Sequence, residues 1–323
     1  MKKERDISFD IIKLMTIYLV IYGHCIQYFT VDGMDSNIYK FIYLFHMSLF
    51  MMISGYFYLG SIKRHSLKDL IILKSKSLLI PCVTAELVLI PIWSYRFSGD
   101  TLFYSIYYGC WFLKTLFICS LICISFRRGI LWGGVISVSL CYIFAKFIPL
   151  DINQNLLLPE MLTAFLFGIL LRIIKDKINF FYLTPICLFV VAWLIITDDL
   201  DFHFLFPTYT IRHIIVGLLI SFLFIVIFQL VCNRYTKKRL GIITKYGCLT
   251  KEIYVLQYIF LENILALIYP LKRFTNEFFQ IGISFALLVI FIWLSSHIQA
   301  NKKLNLLMGN KININELDNK NNK

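Results

Sequence analysis

Charge is scarce in this sequence. Asp, Glu, Lys and Arg supply 16% of the 323 residues, against 59% hydrophobic and 17% aromatic side chains. Soluble domains carry roughly 25% charged residues, and no soluble core of this length needs or tolerates so apolar a balance, so lipid is the expected solvent. Acids are scarcer still, 19 against 32 bases, which leaves a net charge of +13. Nucleic acid is not the expected partner, because it calls for a basic stripe on a folded soluble surface. The cations instead fall between apolar runs and read as topology signals and as attraction to anionic headgroups. CxxC pairs are missing. The nine cysteines, among them Cys82, Cys119, Cys123, Cys187 and Cys232, lie mostly inside apolar runs, which argues against a disulfide framework. No small-residue cleavage site follows the first apolar run, so that run reads as a retained span and not as a signal peptide. Internal repeats, inverted pairs of broken helices and an appended soluble domain are also not seen.

Long apolar runs are what the sequence does have. Crossing the hydrocarbon core takes about 20 apolar residues, and only helices or closed barrels satisfy their own backbone there. Continuous runs favour helices, so the expected fold is all-α, a polytopic membrane bundle of about ten transmembrane helices. They are placed near Phe9 to Phe29, Ile38 to Leu59, Leu78 to Tyr95, Tyr108 to Phe126, Ile130 to Pro149, Leu156 to Ile174, Ile178 to Thr197, Ile211 to Cys232, Ile253 to Leu271 and Phe278 to Ile298. Ten spans put both termini on one side, and that side holds 24 of the 32 cations. The opposite loops hold Lys40, Arg96, Lys272 and Arg273, with Lys13, Lys114, Lys146 and Arg212 inside spans. Cytoplasmic loops carry the excess of Lys and Arg, so both termini are expected in the cytoplasm. Residues 1–298 form the transmembrane domain in this reading. The Asn- and Lys-rich stretch 299–323 reads as a disordered cytoplasmic tail.

Ionisable side chains inside a span cost roughly 2.5 to 3.5 kcal/mol each at the helix centre, so each raises a functional question. The first helix carries Asp10, Lys13 and His24. Eleven steps of about 100° return to within roughly 20° of the start, so Lys13 and His24 share a face and stand roughly 16 Å apart along the axis. Asp10 and Lys13, at i and i+3, can form an ion pair. For His24 two roles are open, an interhelical hydrogen bond or a neutral imidazole acting as general base. His46 on the second helix poses the same question, and Ser54 and Gly55 permit close helix approach. Glu86, Glu160, Glu262, Lys114 and Arg212 read first as interhelical pairs. Asp198, Asp199, Asp201 and His203 have metal-ligand chemistry, but nothing fixes their geometry, and a solvated outer loop is the reading adopted. No metal site is expected.

The segment Ser8 to Lys13, ten further residues and then His24 resembles the basic-x10-His signature of the bacterial acyltransferase-3 family of membrane proteins. His46-Met47 through Gly55 is similar to that family's second-helix pattern, with Ser48 in place of the usual Pro. Leu78 to Pro81 opening the third helix, Trp111 to Leu113, Phe167-Gly168, and Gly247 to Gln257 match in the same order, so the resemblance runs from Arg5 to Ile298. It implies an O-acetyltransferase of a surface or exported polysaccharide, or of its lipid-linked precursor, multi-pass in the bacterial cytoplasmic (inner) membrane. It also implies acetyl-CoA as the cytoplasmic donor substrate, no permanently bound cofactor, and Lys13 and His24 central to activity. In that reading Asp10 and Lys13 orient the donor while His24 activates the acceptor hydroxyl or relays the acyl group, with His46 as a second catalytic candidate. A mouth lined by Lys63, Arg64, Lys68, Lys74 and Lys76 suits the polyanionic CoA head, although the same lysines serve as topology signals. Trp111 suits stacking on adenine or sugar, or anchoring at the interface. Two positions depart from the family pattern. Lys74 and Ser77 stand for a basic pair, and Gln257 stands where a His is frequent, a change expected to bear little on His24. The alternative from another class is a secondary transporter or glycan exporter in which Lys13, His24, Glu86 and Glu262 relay protons.

Overall fold

The computed structural model describes residues 6–96, 109–126, 129–145, 158–197, 211–234, 243–265 and 277–310. Helix α1 (Ile7–Phe29) begins at Asp6, whose carboxylate accepts from the Ser8 backbone N–H at 3.2 Å and from the Ser8 hydroxyl at 2.6 Å. Helix α2 (Asn37–Arg64) begins at Ser36, whose hydroxyl accepts from Tyr39 N–H at 3.1 Å. In the same way Ser66 caps α3 (Leu67–Lys74) through Asp69 N–H at 3.2 Å. Each cap satisfies an amide that the first helical turn leaves without an internal acceptor.

From α3 the chain does not stop. It widens into a π-helical stretch, Ser75–Leu79, and continues as α4 (Ile80–Arg96). The third helix was expected to open at Leu78-Leu79-Ile80-Pro81, so this is a correction. Helical structure starts at Leu67 and Pro81 lies inside it. The reason is local: Pro81 has no N–H, so the Ser77 carbonyl has no donor four residues on, and i→i+5 pairing carries the helix past the gap.

The remaining α-helices are α5 (Trp111–Ser125), α6 (Ile130–Ala145), α7 (Leu158–Ile174), α8 (Thr184–Thr197), α9 (Ile211–Arg234), α10 (Thr250–Gln257), α11 (Glu277–Ala300) and α12 (Lys302–Leu307). A 3-10 turn, Phe180–Leu183, precedes α8, and α10 runs on as a second π-helical stretch, Tyr258–Leu265. Among the described residues there is no strand, and the class is all-α as expected. Ile7–Phe29, Asn37–Arg64, Arg212–Arg234 and Glu277–Ala300 are long and apolar enough to cross a membrane. Large apolar side chains point outward on α6, α8 and α11, with Trp132, Ile196 and Phe278 at least 80% exposed. So much exposed apolar surface suits lipid and not water.

Helix α1 lies at the centre, enclosed by α2, α9, α10 and α11. Helix α2 packs on α7 through a reciprocal pair of glycines. A Cβ on Gly55 would strike the Phe165 carbonyl, and one on Gly168 would strike the Met52 carbonyl. Backbone contact this close is what small residues provide between apolar helices that gain nothing from the hydrophobic effect.

The stretch 299–323 requires a second correction, because its described part, 299–310, is folded. Lys251 Nζ donates to the Met308 carbonyl at 2.6 Å and to Asn310 Oδ1 at 2.7 Å. Asn310 Nδ2 donates to the buried Glu252 Oε1 at 2.7 Å, and Thr84 Oγ1 donates to the Leu307 carbonyl at 2.8 Å. Gly309, at φ +66°, closes the segment onto the Lys76 carbonyl, where a side chain has no room. Low apolar content suggested disorder, but pairing with partly buried charges on α10 supplies what apolar burial does not.

Candidate functional site

His24 lies in the C-terminal half of α1 with its side chain 14% exposed, and its Nε2 is 3.3 Å from Glu262 Oε1. Glu262 sits in the π-helical continuation of α10. Gln257 Nε2 donates to the same Glu262 oxygen at 3.3 Å, and Gln257 is fully buried. On the other side of the ring His24 Nδ1 is 3.3 Å from Gln27 Oε1, an oxygen that also accepts from the Tyr43 hydroxyl at 3.3 Å. Both ring nitrogens thus face oxygens, one from α1 and one from the α10 continuation, and a neutral ring can donate to only one of them. Tyr28 stacks beside it at 6.0 Å between ring centroids, and Tyr43 meets it edge-on at 6.3 Å.

The π geometry makes this site. In an α-helix five steps of about 100° put positions 257 and 262 roughly 140° apart. With i→i+5 pairing they come to one side. Asn263 Nδ2 donates to the Tyr258 carbonyl at 2.8 Å, which satisfies backbone inside the stretch. The Tyr258 hydroxyl donates to Glu86 Oε1 at 3.4 Å, so a buried carboxylate from α4 meets the same π-helical stretch. Glu86 is seated against Gly109, where a Cβ would strike its carboxylate oxygen. Cys110 follows in a left-handed conformation, φ +46°, at the start of α5. A non-glycine residue held there costs on the order of 1 kcal/mol or more, and such strain recurs at functional sites.

The expected site residues separate into groups. Asp10 and Lys13 form the anticipated pair, Nζ to Oδ1 at 3.5 Å, with Lys13 Nζ 5.4 Å from the centre of the Phe57 ring. Since α1 is unbroken from Ile7 to Phe29, Lys13 stands roughly 16 Å from His24 along the axis. His46 is buried with Nδ1 2.7 Å from the Ile42 carbonyl, the helix-internal bond of a structural histidine. Its ring packs on Tyr43 at 4.8 Å, so the two histidines share Tyr43 as neighbour.

Lys74 is half-buried, its Nζ 5.3 Å from the centre of the Tyr58 ring, and burial pushes its ammonium pKa down. Ser77, at the second position of the expected basic pair, donates to the Lys74 carbonyl at 3.3 Å. Lys76 is exposed, as are Lys63, Arg64 and Lys68. Trp111, half-buried at the start of α5, lies edge-on to Phe112 at 6.1 Å. Asp198, Asp199, Asp201 and His203 lie outside the described residues.

Two partners of His24, Gln27 and Glu262, and the Gln257 that donates to Glu262 carry no such role in the sequence reading. Gln27 was within reach of simple reasoning, since i and i+3 share a helix face. Glu262 stood among residues read first as structural pairs, and Gln257 as a change of little bearing on His24. The structure instead puts Gln257 one hydrogen bond from the carboxylate that faces the imidazole.

Fold and site together define a helical bundle of membrane-spanning character in which a largely shielded imidazole faces a carboxylate. The chain belongs to the acyltransferase-3 family, described as an acyltransferase domain, whose profile matches residues 6–297. It is 46% identical over 81 residues to nodulation protein NolL of Mesorhizobium japonicum, covering 24% of this chain and 22% of that one. It is 39% identical over 105 residues to nodulation protein NolL of Sinorhizobium fredii, covering 30% of this chain and 28% of that one. The matched stretches thus span about a quarter of the length of these curated relatives. No solved structure matches.

Proposed function

We propose that this protein is an integral membrane O-acyltransferase that moves acetyl from acetyl-CoA to a hydroxyl of a surface or exported polysaccharide or its lipid-linked precursor. The observation that carries this reading is the His24–Glu262 pair, 3.3 Å apart inside an apolar bundle of the acyltransferase-3 family. In the proposed topology ten helices cross the bacterial inner membrane with both termini in the cytoplasm, as the charge bias expects. The donor then enters at the end of α1 that holds Asp10 and Lys13.

A sugar hydroxyl is a poor nucleophile until a positioned base takes its proton. Glu262 accepts the Nε2–H of His24, which fixes the tautomer and leaves the lone pair on Nδ1. In that tautomer the Gln27 amide turns its NH2 toward the Nδ1 lone pair, because its oxygen can only accept, and the acceptor hydroxyl displaces it from that place. Its proton passes to Nδ1 while its oxygen attacks the thioester carbonyl. Collapse of the tetrahedral adduct breaks the C–S bond, and the imidazolium returns the proton to the departing sulfur. Glu262 balances the imidazolium charge in between, the part a buried carboxylate takes beside a catalytic histidine elsewhere. Lys13, held by Asp10, and the half-buried Lys74 bear on the donor's phosphates.

The test is thiol release from acetyl-CoA by the purified protein in lipid, with a candidate glycan as acceptor. His24→Ala lowers release to a small residual rate while the protein still inserts and elutes as the wild type does. Normal turnover in that variant removes His24 from the mechanism. Lys13→Ala raises KM for acetyl-CoA, and loss of turnover with unchanged CoA affinity refutes a binding role for Lys13.

A further inference from the structure

At the end of the bundle where α1 begins, a groove of about 440 Å³ opens between the segment that follows α7 and the last turns of α9. Its rim carries Lys175 and Lys177, and its apolar floor includes Phe180, Val226 and Leu230. We infer that this groove is a binding site for an anionic phospholipid, the phosphate held by Lys175 and Lys177 and the first part of the acyl chains laid along Phe180 and Leu230.

Position argues for this occupant. Phe180, Phe181 and Tyr182 form a short aromatic run just before α8, and Phe181 and Tyr182 are exposed. Aromatic side chains at the end of an apolar helix sit at headgroup level. From there the exposed apolar surface continues along α8 through Ile186 and Phe189, so the groove opens onto the face that lipid chains cover. A free phosphate has no use for that floor.

Charge argues the same way. The rim has two lysines against one acid, Asp176. Lys175 is steadied by two neighbours, Asp6 at 3.9 Å and the Tyr56 ring at 5.7 Å to its centre, with Arg172 5.5 Å from the same ring. A cation held in place loses less freedom on meeting a phosphate than a free-swinging one. The Tyr56 hydroxyl itself is buried without a hydrogen-bond partner among the described residues, which leaves this corner of the bundle short of a polar group. Because Lys175 reaches Asp6, the cap of α1, the groove lies at the end that the charge bias assigns to the cytoplasmic leaflet, and basic pockets between helices on that side suit anionic headgroups.

Native mass spectrometry of the full chain in mild detergent tests the site. The titrants are phosphatidylglycerol, phosphatidylcholine with the same chains, and glycerol phosphate. Phosphatidylglycerol is expected to be retained at least tenfold better than phosphatidylcholine, with glycerol phosphate unable to displace it. Lys177→Gln, at an exposed side chain that leaves the packing untouched, lowers retention about fivefold, the effect of one cation near a charged leaflet. Leu230→Trp lowers it further by filling the floor. Equal retention of the two lipids, or phosphatidylglycerol binding unchanged in Lys177→Gln and in the Lys175→Gln, Lys177→Gln pair, overturns the assignment. Full displacement by glycerol phosphate also overturns it, in favour of a soluble phosphate site. None of these outcomes depends on whether the protein transfers acyl groups.

Discussion

Glu262 faces His24 Nε2 at 3.3 Å and Gln257 at the same distance, with both members of the His24 pair mostly shielded by the bundle. In such a setting a carboxylate that holds an imidazole in one tautomer is worth about 10- to 100-fold in activity, by analogy with groups that orient histidine ligands. Glu262→Gln is therefore expected to lower kcat for thiol release by about 10²-fold while KM for acetyl-CoA stays within about threefold, since Glu262 lies far from Lys13. Steady-state kinetics in lipid check this. A rise in KM with kcat unchanged would place Glu262 on the donor. At this scale the sequence was half legible. Lys13 and His24 could be put on one face because α-helical arithmetic holds along α1. The pairing of Asp10 with Lys13 followed from i and i+3 spacing. The partner of His24 could not, because Glu262 is more than 200 positions away and its alignment with Gln257 exists only on a π-helix, which no spacing rule for α-helices anticipates.

Elements show the same division. Among the described residues each apolar run overlaps an α-helix, and four of these helices are long and apolar enough to cross a membrane, since length and hydropathy are summed over many residues and survive local surprises. The start of the third helix was misplaced by eleven residues because Lys68, Lys74 and Lys76 looked like loop, yet Ser66 caps a helix at Leu67 and π pairing carries it past Pro81. The terminal segment was misread for a related reason. Its order comes from a few polar contacts, and composition does not report them. Asn310 holds Lys251, Glu252 and Asn305 together at 2.7 Å each. Hydrogen bonds to charged groups contribute about 1.5–3 kcal/mol when buried, and these are only partly so. Asn310→Ala should therefore destabilise the protein by about 1–2 kcal/mol, seen as a lower Tm in detergent. An unchanged Tm would show the segment to be loosely held.

For the whole molecule the claim is directional: donor from the cytoplasm, acceptor from the far side, and the imidazole between. Cys248 allows a check on orientation without fusion proteins, because it alone of the nine cysteines is exposed. It follows α9 in a loop assigned to the cytoplasm. A membrane-impermeant maleimide is expected to label it in inside-out vesicles and not in intact cells, and labelling from outside would invert the topology. The central claim is that His24 and Glu262 act as one catalytic unit, and a double-mutant cycle on thiol release reaches it most directly. With His24→Ala, Glu262→Gln and the pair measured side by side, removing Glu262 should cost the wild type about 10²-fold and the His24→Ala protein nothing further. Two independent losses that multiply in the double variant would contradict the account.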